Sequence, residues 1–263
     1  MLLYRVLSAL VGIPVILLSV WYGGLPWSIV VLIIAVMGIF EMYHLWGKLN
    51  VHTWLPGSLL GVLLFVGSAY FVKGDLFGGA IMLILLVLVC YLVAVYPAFT
   101  FTDLAATLLT PIYAGWLLTH MVLLRQLPGG FNFVLLALVA TWSTDTFAYF
   151  VGINLGKRKL APVISPNKSV EGSVGGMAGS ILAALVVGLA DGRLTVMDCV
   201  VLGVIIGIVG QLGDLLESAF KRMAGVKDSG KLIPGHGGIL DRFDSLYFTA
   251  PLVYYYIKLF TIK

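Results

Sequence analysis

Long apolar runs recur along the whole chain, broken by short polar or turn-forming stretches. Nine of them predict helices that cross a bilayer: residues 6–22, 27–46, 54–72, 78–96, 104–124, 131–152, 173–190, 197–217 and 243–260. Each is close to the roughly 20 residues that span hydrocarbon. The connections carry turn signals, as in Tyr22-Gly23-Gly24-Leu25-Pro26, Leu127-Pro128-Gly129-Gly130 and Asp191-Gly192-Arg193. Trp21, Trp27, Trp46, Trp54 and Trp116 fall near predicted span ends, where tryptophan anchors a helix at the interface. The first run follows Arg5 as a signal peptide would. No small-residue cleavage site comes after it and eight further spans do, so it reads as a helix.

Composition agrees with that pattern. Of 263 residues, 60% are hydrophobic and 11% charged, against about 25% charged in a soluble domain. One soluble core could not bury so much apolar surface. Soluble globular, disordered, collagen-like and disulfide-framework classes are excluded. The predicted fold is all-α: a polytopic integral membrane protein of about nine transmembrane helices, with no sizeable soluble domain. Cys90 and Cys199 lie inside apolar runs and read as small buried hydrophobes.

The basic residues orient the chain. Eleven fall on one side of the nine spans, namely Arg5, Lys48 and those in the stretches Lys157 to Lys168 and Lys221 to Arg242. Five fall on the other, Lys73, Arg125, Arg193, Lys258 and Lys263. The richer side is cytoplasmic, which puts the N-terminus and both long polar loops, 153–172 and 218–242, inside the cell. The chain divides into an apolar scaffold of about five spans, residues 1–130, and a catalytic region of about four, residues 131–263. Compact loops without a targeting segment predict the inner (plasma) membrane of a bacterium, with the active site facing the cytoplasm.

Three segments of the second half carry candidate chemistry. The first is Thr141-Trp142-Ser143-Thr144-Asp145-Thr146 inside the sixth span. A carboxylate there is costly unless it meets a cation or water, and it is otherwise an acid snorkelling from a helix end. The second runs from Gly156 to Ser173 and combines Lys157, Arg158, Lys159 and Lys168 with Ser165, Asn167 and Ser169 ahead of a glycine-rich helix start. Cations beside a helix N-terminus make an anion site, notably for phosphate; the alternative is an anchor to lipid headgroups. The third and densest runs from Gln211 to Ser245. Asp214, Glu217 and Ser218 share one helix face at i, i+3 and i+4, and Asp241, Asp244 and Ser245 repeat that spacing at the start of the ninth span. Two such acidic faces joined by a loop of Lys, Arg and Gly can hold hard cations, and magnesium usually shares its shell with substrate phosphates. Plainer roles exist for single members. Glu217 can pair with Lys221, Asp228 can cap a turn, and His236 between glycines can support its loop or donate to a phosphate. Glu41 and His44 read as interfacial residues meeting water, and Asp103 as a helix-start acid.

The third stretch resembles the phosphatidate cytidylyltransferases, also called CDP-diacylglycerol synthases. The resemblance rests on Ser218, Lys221-Arg222, Lys227-Asp228, Gly230, Pro234, His236-Gly237-Gly238, Asp241-Arg242 and Asp244. It extends upstream to Asp145 with Phe147-Ala148-Tyr149, and to Ser165-Pro166-Asn167-Lys168-Ser169-Val170-Glu171-Gly172. It covers roughly residues 130–250. It implies that CTP and phosphatidate give CDP-diacylglycerol and pyrophosphate with Mg2+, as one or two ions. Phosphatidate brings an already ionised phosphate oxygen as nucleophile, so catalysis reduces to positioning and charge neutralisation. On that reading Asp214 and Asp241 ligate the metal, with Asp145 and Asp244 completing its shell or orienting its waters. Lys168, Lys221, Arg222 and Lys227 hold phosphates of CTP and phosphatidate. Ser165, Asn167 and Ser218 serve as neutral donors, and Asp228, His236 and Arg242 complete the substrate-binding set. A CTP-dependent enzyme with another lipid acceptor is the nearest alternative. An ion or phosphate transporter with intramembrane acids is a second, and the absence of an internal repeat weighs against it. No nucleic acid partner is expected, and the apolar first half offers a face for a homodimer.

Overall fold

The local sequence explains most helix boundaries. Thr100 caps the fifth helix in a reciprocal box with Asp103, and Pro56 sits in the first turn of the third, where its missing N–H costs nothing. The computed structural model describes residues 2–230 and 237–262, without the side chains of residues 2–9 and of Asp191. Among the described residues the helices are α1 (Leu2–Tyr22), α2 (Gly24–Lys48), α3 (Leu55–Val72), α4 (Phe77–Val95) and α5 (Phe101–Pro111). A π-helical turn (Ile112–Trp116) joins α5 to α6 (Leu117–Gln126). There follow α7 (Gly130–Leu155), α8 (Val170–Gly188), α9 (Val196–Met223) and α10 (Leu240–Tyr256), the last continued by a π turn (Ile257–Thr261).

Seven of these stretches are long and apolar enough to cross a membrane: α2, α3, α4, α5 with α6, α7, α8 and α9. The chain is therefore a multi-pass membrane protein. Two of the expected nine fall outside these seven: α1, whose side chains are described only from Leu10 to Tyr22, and the 17-residue α10, which opens on Asp241, Arg242 and Asp244. Large apolar side chains outside the packing line the helices, as Leu83, Leu86, Val89 and Val93 do on α4, which suits a lipid-facing surface.

The chain packs as two units, Met1–Leu123 with Met223–Arg242, and Leu124–Arg222 with Phe243–Lys263. The middle of the second polar loop's signature, Met223–Arg242, thus groups with the apolar first half. In the first unit, α3 carries Gly57 and Gly61, and a Cβ on Gly61 would stand 2.7 Å from Pro111. Small residues here let backbones approach where no hydrophobic drive exists between helices and lipid. Phe65, Ile84 and Leu88 fill the space between α3 and α4. Asp103 is buried and, besides its cap, accepts the His52 N–H at 2.6 Å, while Thr107 accepts that of Trp54 at 2.9 Å. Trp27 departs from the interfacial expectation: it is buried, and its indole N–H donates to the Met121 carbonyl at 2.9 Å. Cys90 likewise lies exposed on α4, whereas Cys199 is buried as expected.

In the second unit α7 and α8 lie against each other through Gly175, Gly176 and Gly179, each of which would meet α7 atoms closer than 3.0 Å with a Cβ added. Gly203 and Gly207 on α9 receive α8 in the same way, and the Ser180 hydroxyl donates to the Gly203 carbonyl at 2.7 Å. The loop expected between α7 and α8 holds a short antiparallel hairpin, β1 (Lys159–Ala161) and β2 (Ser165–Ser169), pairing Lys159 with Ser169 and Ala161 with Ser165. Glu171 closes it by accepting the backbone N–H groups of Lys157 and Arg158, and Ser169 caps α8 by accepting from Gly172. A three-residue strand and a proline inside the other hide this hairpin from a periodicity reading.

Candidate active site

Each unit gathers its own set of the expected site residues. In the second unit, β2 carries Lys168 and α9 carries Asp214, and the two form an ion pair. Ser218, one turn on, donates to Asp214 at 3.3 Å. Glu217 and Lys221 pair at 3.2 Å, as their i, i+4 spacing allows. Both are buried, and burying such a pair requires that each charge keep its partner. Asp244 on α10 stands in the field of Asp214 and Lys221, so three carboxylates, with Glu217, and two ammonium groups share this region. Arg222 donates to the Ile164 carbonyl at 3.4 Å, tying the end of α9 to the hairpin turn.

Ser165 is half-buried and Asn167 exposed on the same strand as Lys168. Asp145 is exposed on α7. The neighbouring threonine hydroxyls donate to carbonyls of their own helix, Thr141 to Ala137, Thr144 to Ala140 and Thr146 to Trp142.

In the first unit the centre of organisation is Asp241. Its Oδ2 accepts the backbone N–H groups of Ser229 at 3.0 Å and Gly238 at 2.8 Å. Glu41 from α2 lies beside it, almost wholly buried, and accepts from the Ser229 hydroxyl and the backbone of Ile239 and Leu240. The expectation that Glu41 meets water is thereby corrected. Lys227 and Asp228 line a cavity of about 340 Å³ together with Ser229, Gly230, and His44 and Lys48 of α2. The His44 Nδ1 is 2.6 Å from the Phe40 carbonyl, which can only accept, so Nδ1 carries the hydrogen. Arg242 is exposed, and His236 lies outside the described residues. Glu41, His44 and Lys48 share a helix face at i, i+3 and i+7. That spacing was visible in the sequence; what they face was not.

Among the described residues, no three acidic, histidine or cysteine side chains come together as a ready metal shell. Asp214 and Asp244 still fit what magnesium takes from a protein, which is one or two carboxylates, the rest coming from substrate phosphates and water. The Lys168 ammonium on Asp214 is the positive charge that this carboxylate has at present.

The sequence matches the family described as the cytidylyltransferase family over residues 3–260. The chain belongs to the cytidylyltransferase family. It is 40% identical to the phosphatidate cytidylyltransferase of Bacillus subtilis (strain 168) over 268 residues, covering 98% of each chain. It is also 37% identical to the phosphatidate cytidylyltransferase of Staphylococcus saprophyticus over 254 residues, and 36% identical to that of Staphylococcus aureus (strain COL) over 258, covering 95% of this chain and 96% of each relative. The cytidylyltransferase match spans the apolar first half as well as the signature, beyond the roughly 130–250 that the motifs covered. This cytidylyltransferase is thus an enzyme of the nucleotidyltransferase class.

Proposed function

We infer that the chain is a phosphatidate cytidylyltransferase, which joins CTP and phosphatidate into CDP-diacylglycerol and pyrophosphate for phospholipid synthesis. The observation that carries this is near-full-length similarity to three relatives of that name, with the signature from Ser218 to Asp244 intact in this chain. A phosphate oxygen of phosphatidate attacks the α-phosphorus of CTP, and the bond to the β-phosphate oxygen breaks as pyrophosphate leaves. The attacking oxygen is already ionised at neutral pH, so no side chain need take its proton. The work left to the protein is to bring two polyanions together and to neutralise the charge that passes to pyrophosphate.

The residues divide that work. Lys168, Lys221, Arg222 and Lys227 hold phosphates, with Ser165, Asn167 and Ser218 as neutral donors and Asp228, His236 and Arg242 completing the substrate set. Asp214 and Asp241 are the metal ligands of this reading, with Asp145 and Asp244 completing the shell. Mg2+, when bound, supplies charge neutralisation at the phosphates. Lys168 pairs with Asp214, and with a cation held on that carboxylate its ammonium would be available to a phosphate. The membrane arrangement that goes with this reading has nine spans, a cytoplasmic N-terminus and a centre open to cytoplasmic CTP at the inner membrane. We assign the apolar faces of α4 to lipid rather than to a second copy.

The test is pyrophosphate release by the detergent-purified protein with CTP, phosphatidate and Mg2+, each omitted in turn. Release needing all three, with CDP-diacylglycerol as the product by mass spectrometry, is the expected result. Asp241→Asn keeps size and removes charge, and should abolish turnover in a folded protein. Release without phosphatidate would point to another acceptor.

A further inference from the structure

We propose that Glu41, in the apolar first half, is a positioning residue of the reaction centre, fixing Ser229 and the start of α10 and through them Asp241. The proposal rests on the reading of Asp241 as a member of that centre.

Glu41 is 3% exposed on a mostly apolar helix, and a carboxylate is retained in such a place only with full compensation. Among the described residues, compensation comes from Ser229 and the start of α10, nearly 200 residues away. The Ser229 hydroxyl donates to Oε2 at 2.7 Å, the Ile239 N–H to Oε1 at 2.8 Å and the Leu240 N–H to Oε2 at 2.9 Å. The last two stand at the N-terminus of α10, where backbone donors lack helical partners and the helix dipole favours an anion. Two glycines leave room for the carboxylate. A Cβ on Gly230 would stand 2.6 Å from Oε1 and one on Gly238 2.4 Å from Oε2.

The link to Asp241 runs through a single hydrogen. The Ser229 oxygen is 2.7 Å from Glu41 Oε2 and 3.1 Å from Asp241 Oδ2, and a hydroxyl has one hydrogen to give. The shorter contact takes it, and Asp241 Oδ2 accepts the backbone N–H groups of Ser229 and Gly238. Without the Glu41 acceptor the hydroxyl turns to Asp241, and the carboxylate loses both its setting and part of its available charge. A cap that served only stability would not need this reach. Asp241 already accepts from Gly238 within the same turn, while Glu41 sits one turn from His44 and two from Lys48, both of which line the cavity with Lys227.

Glu41→Gln keeps the shape and one acceptor oxygen but turns an amide NH2 toward a backbone donor. In the full-length protein in detergent, kcat should fall about 10- to 100-fold, the range a displacement near 1 Å produces, with KM for CTP and phosphatidate within about twofold. Without substrate or metal, amide exchange at 237–242 should speed up while that of α7 to α9 stays unchanged. Glu41→Asp should recover part of the lost kcat. Ser229→Ala is the milder second variant; it should also lower kcat, and the double variant should be no worse than Glu41→Gln alone. Wild-type kcat in Glu41→Gln beside an inactive Asp241→Asn would overturn this proposal alone, as would a double variant whose losses multiply. Turnover by Asp241→Asn would overturn the assignment of Asp241 and this proposal with it.

Discussion

Two glycines on one face of α9, a single turn apart, should respond oppositely to the same added methyl group. A Cβ on Gly213 would stand 2.6 Å from the backbone oxygen of Asp244 and 3.0 Å from the Phe248 ring, whereas one on Gly210 would stand 3.4 Å from Ser245 and Thr249 side-chain carbons. The ring can rotate; the carbonyl is fixed in α10. Ordinary contact begins at 3.4 Å, so α10 must retreat from α9 by about 0.8 Å at Gly213. That displacement falls on Asp244 and beside Asp214, two carboxylates of the proposed metal shell. Gly213→Ala should lower kcat about 10- to 100-fold, roughly 1.4–2.7 kcal/mol of barrier, and destabilise the fold by about 1–3 kcal/mol. Gly210→Ala should keep kcat within about twofold and gain slightly in helix propensity, at most about 1 kcal/mol. Pyrophosphate release in phosphatidate–detergent micelles reads the first quantity and thermal inactivation the second. Equal activity of the two variants would refute the close-approach argument.

Asp103→Ala removes an N-cap box and the acceptor of the His52 N–H, so thermal unfolding should show a loss of about 2–3 kcal/mol, with KM for both substrates unchanged in the folded fraction. Lys221→Met leaves Glu217, 1% exposed at its side chain, without its paired ammonium; stability should drop by about 3–5 kcal/mol, and adding Glu217→Gln should restore much of it. If the double variant is no more stable than Lys221→Met, the pair is not what holds Glu217. EDTA should stop pyrophosphate release and added Mg2+ restore it, whereas turnover unaffected by chelation would remove the metal role assigned to Asp214 and Asp241.

The helices were legible because lipid imposes one dominant rule, an apolar run near 20 residues, and α2 to α9 obey it within a few residues of the expected bounds. The departures have local causes. Trp27 looked interfacial because tryptophan position alone cannot tell a headgroup from the Met121 carbonyl as hydrogen-bond acceptor. The β1–β2 hairpin is too short, and too interrupted by Pro166, to carry a period of two.

The site was legible in a different measure. Local spacing found what a helix face determines: the Glu217–Lys221 pair, and the run of Asp214 and Ser218. It could not find partners that only folding brings together. Lys168 and Asp214 are 46 residues apart, and Glu41 and Ser229 are 188 apart. A buried acid and an interfacial acid look alike in sequence, since both are one carboxylate near the end of an apolar run. What separates them is whether the rest of the chain supplies donors, and for Glu41 the donors come from the signature segment itself. The apolar first half is therefore more than membrane mass. It places one buried carboxylate where the loop before α10 needs an acceptor, and a motif confined to the second half of the chain cannot register that dependence.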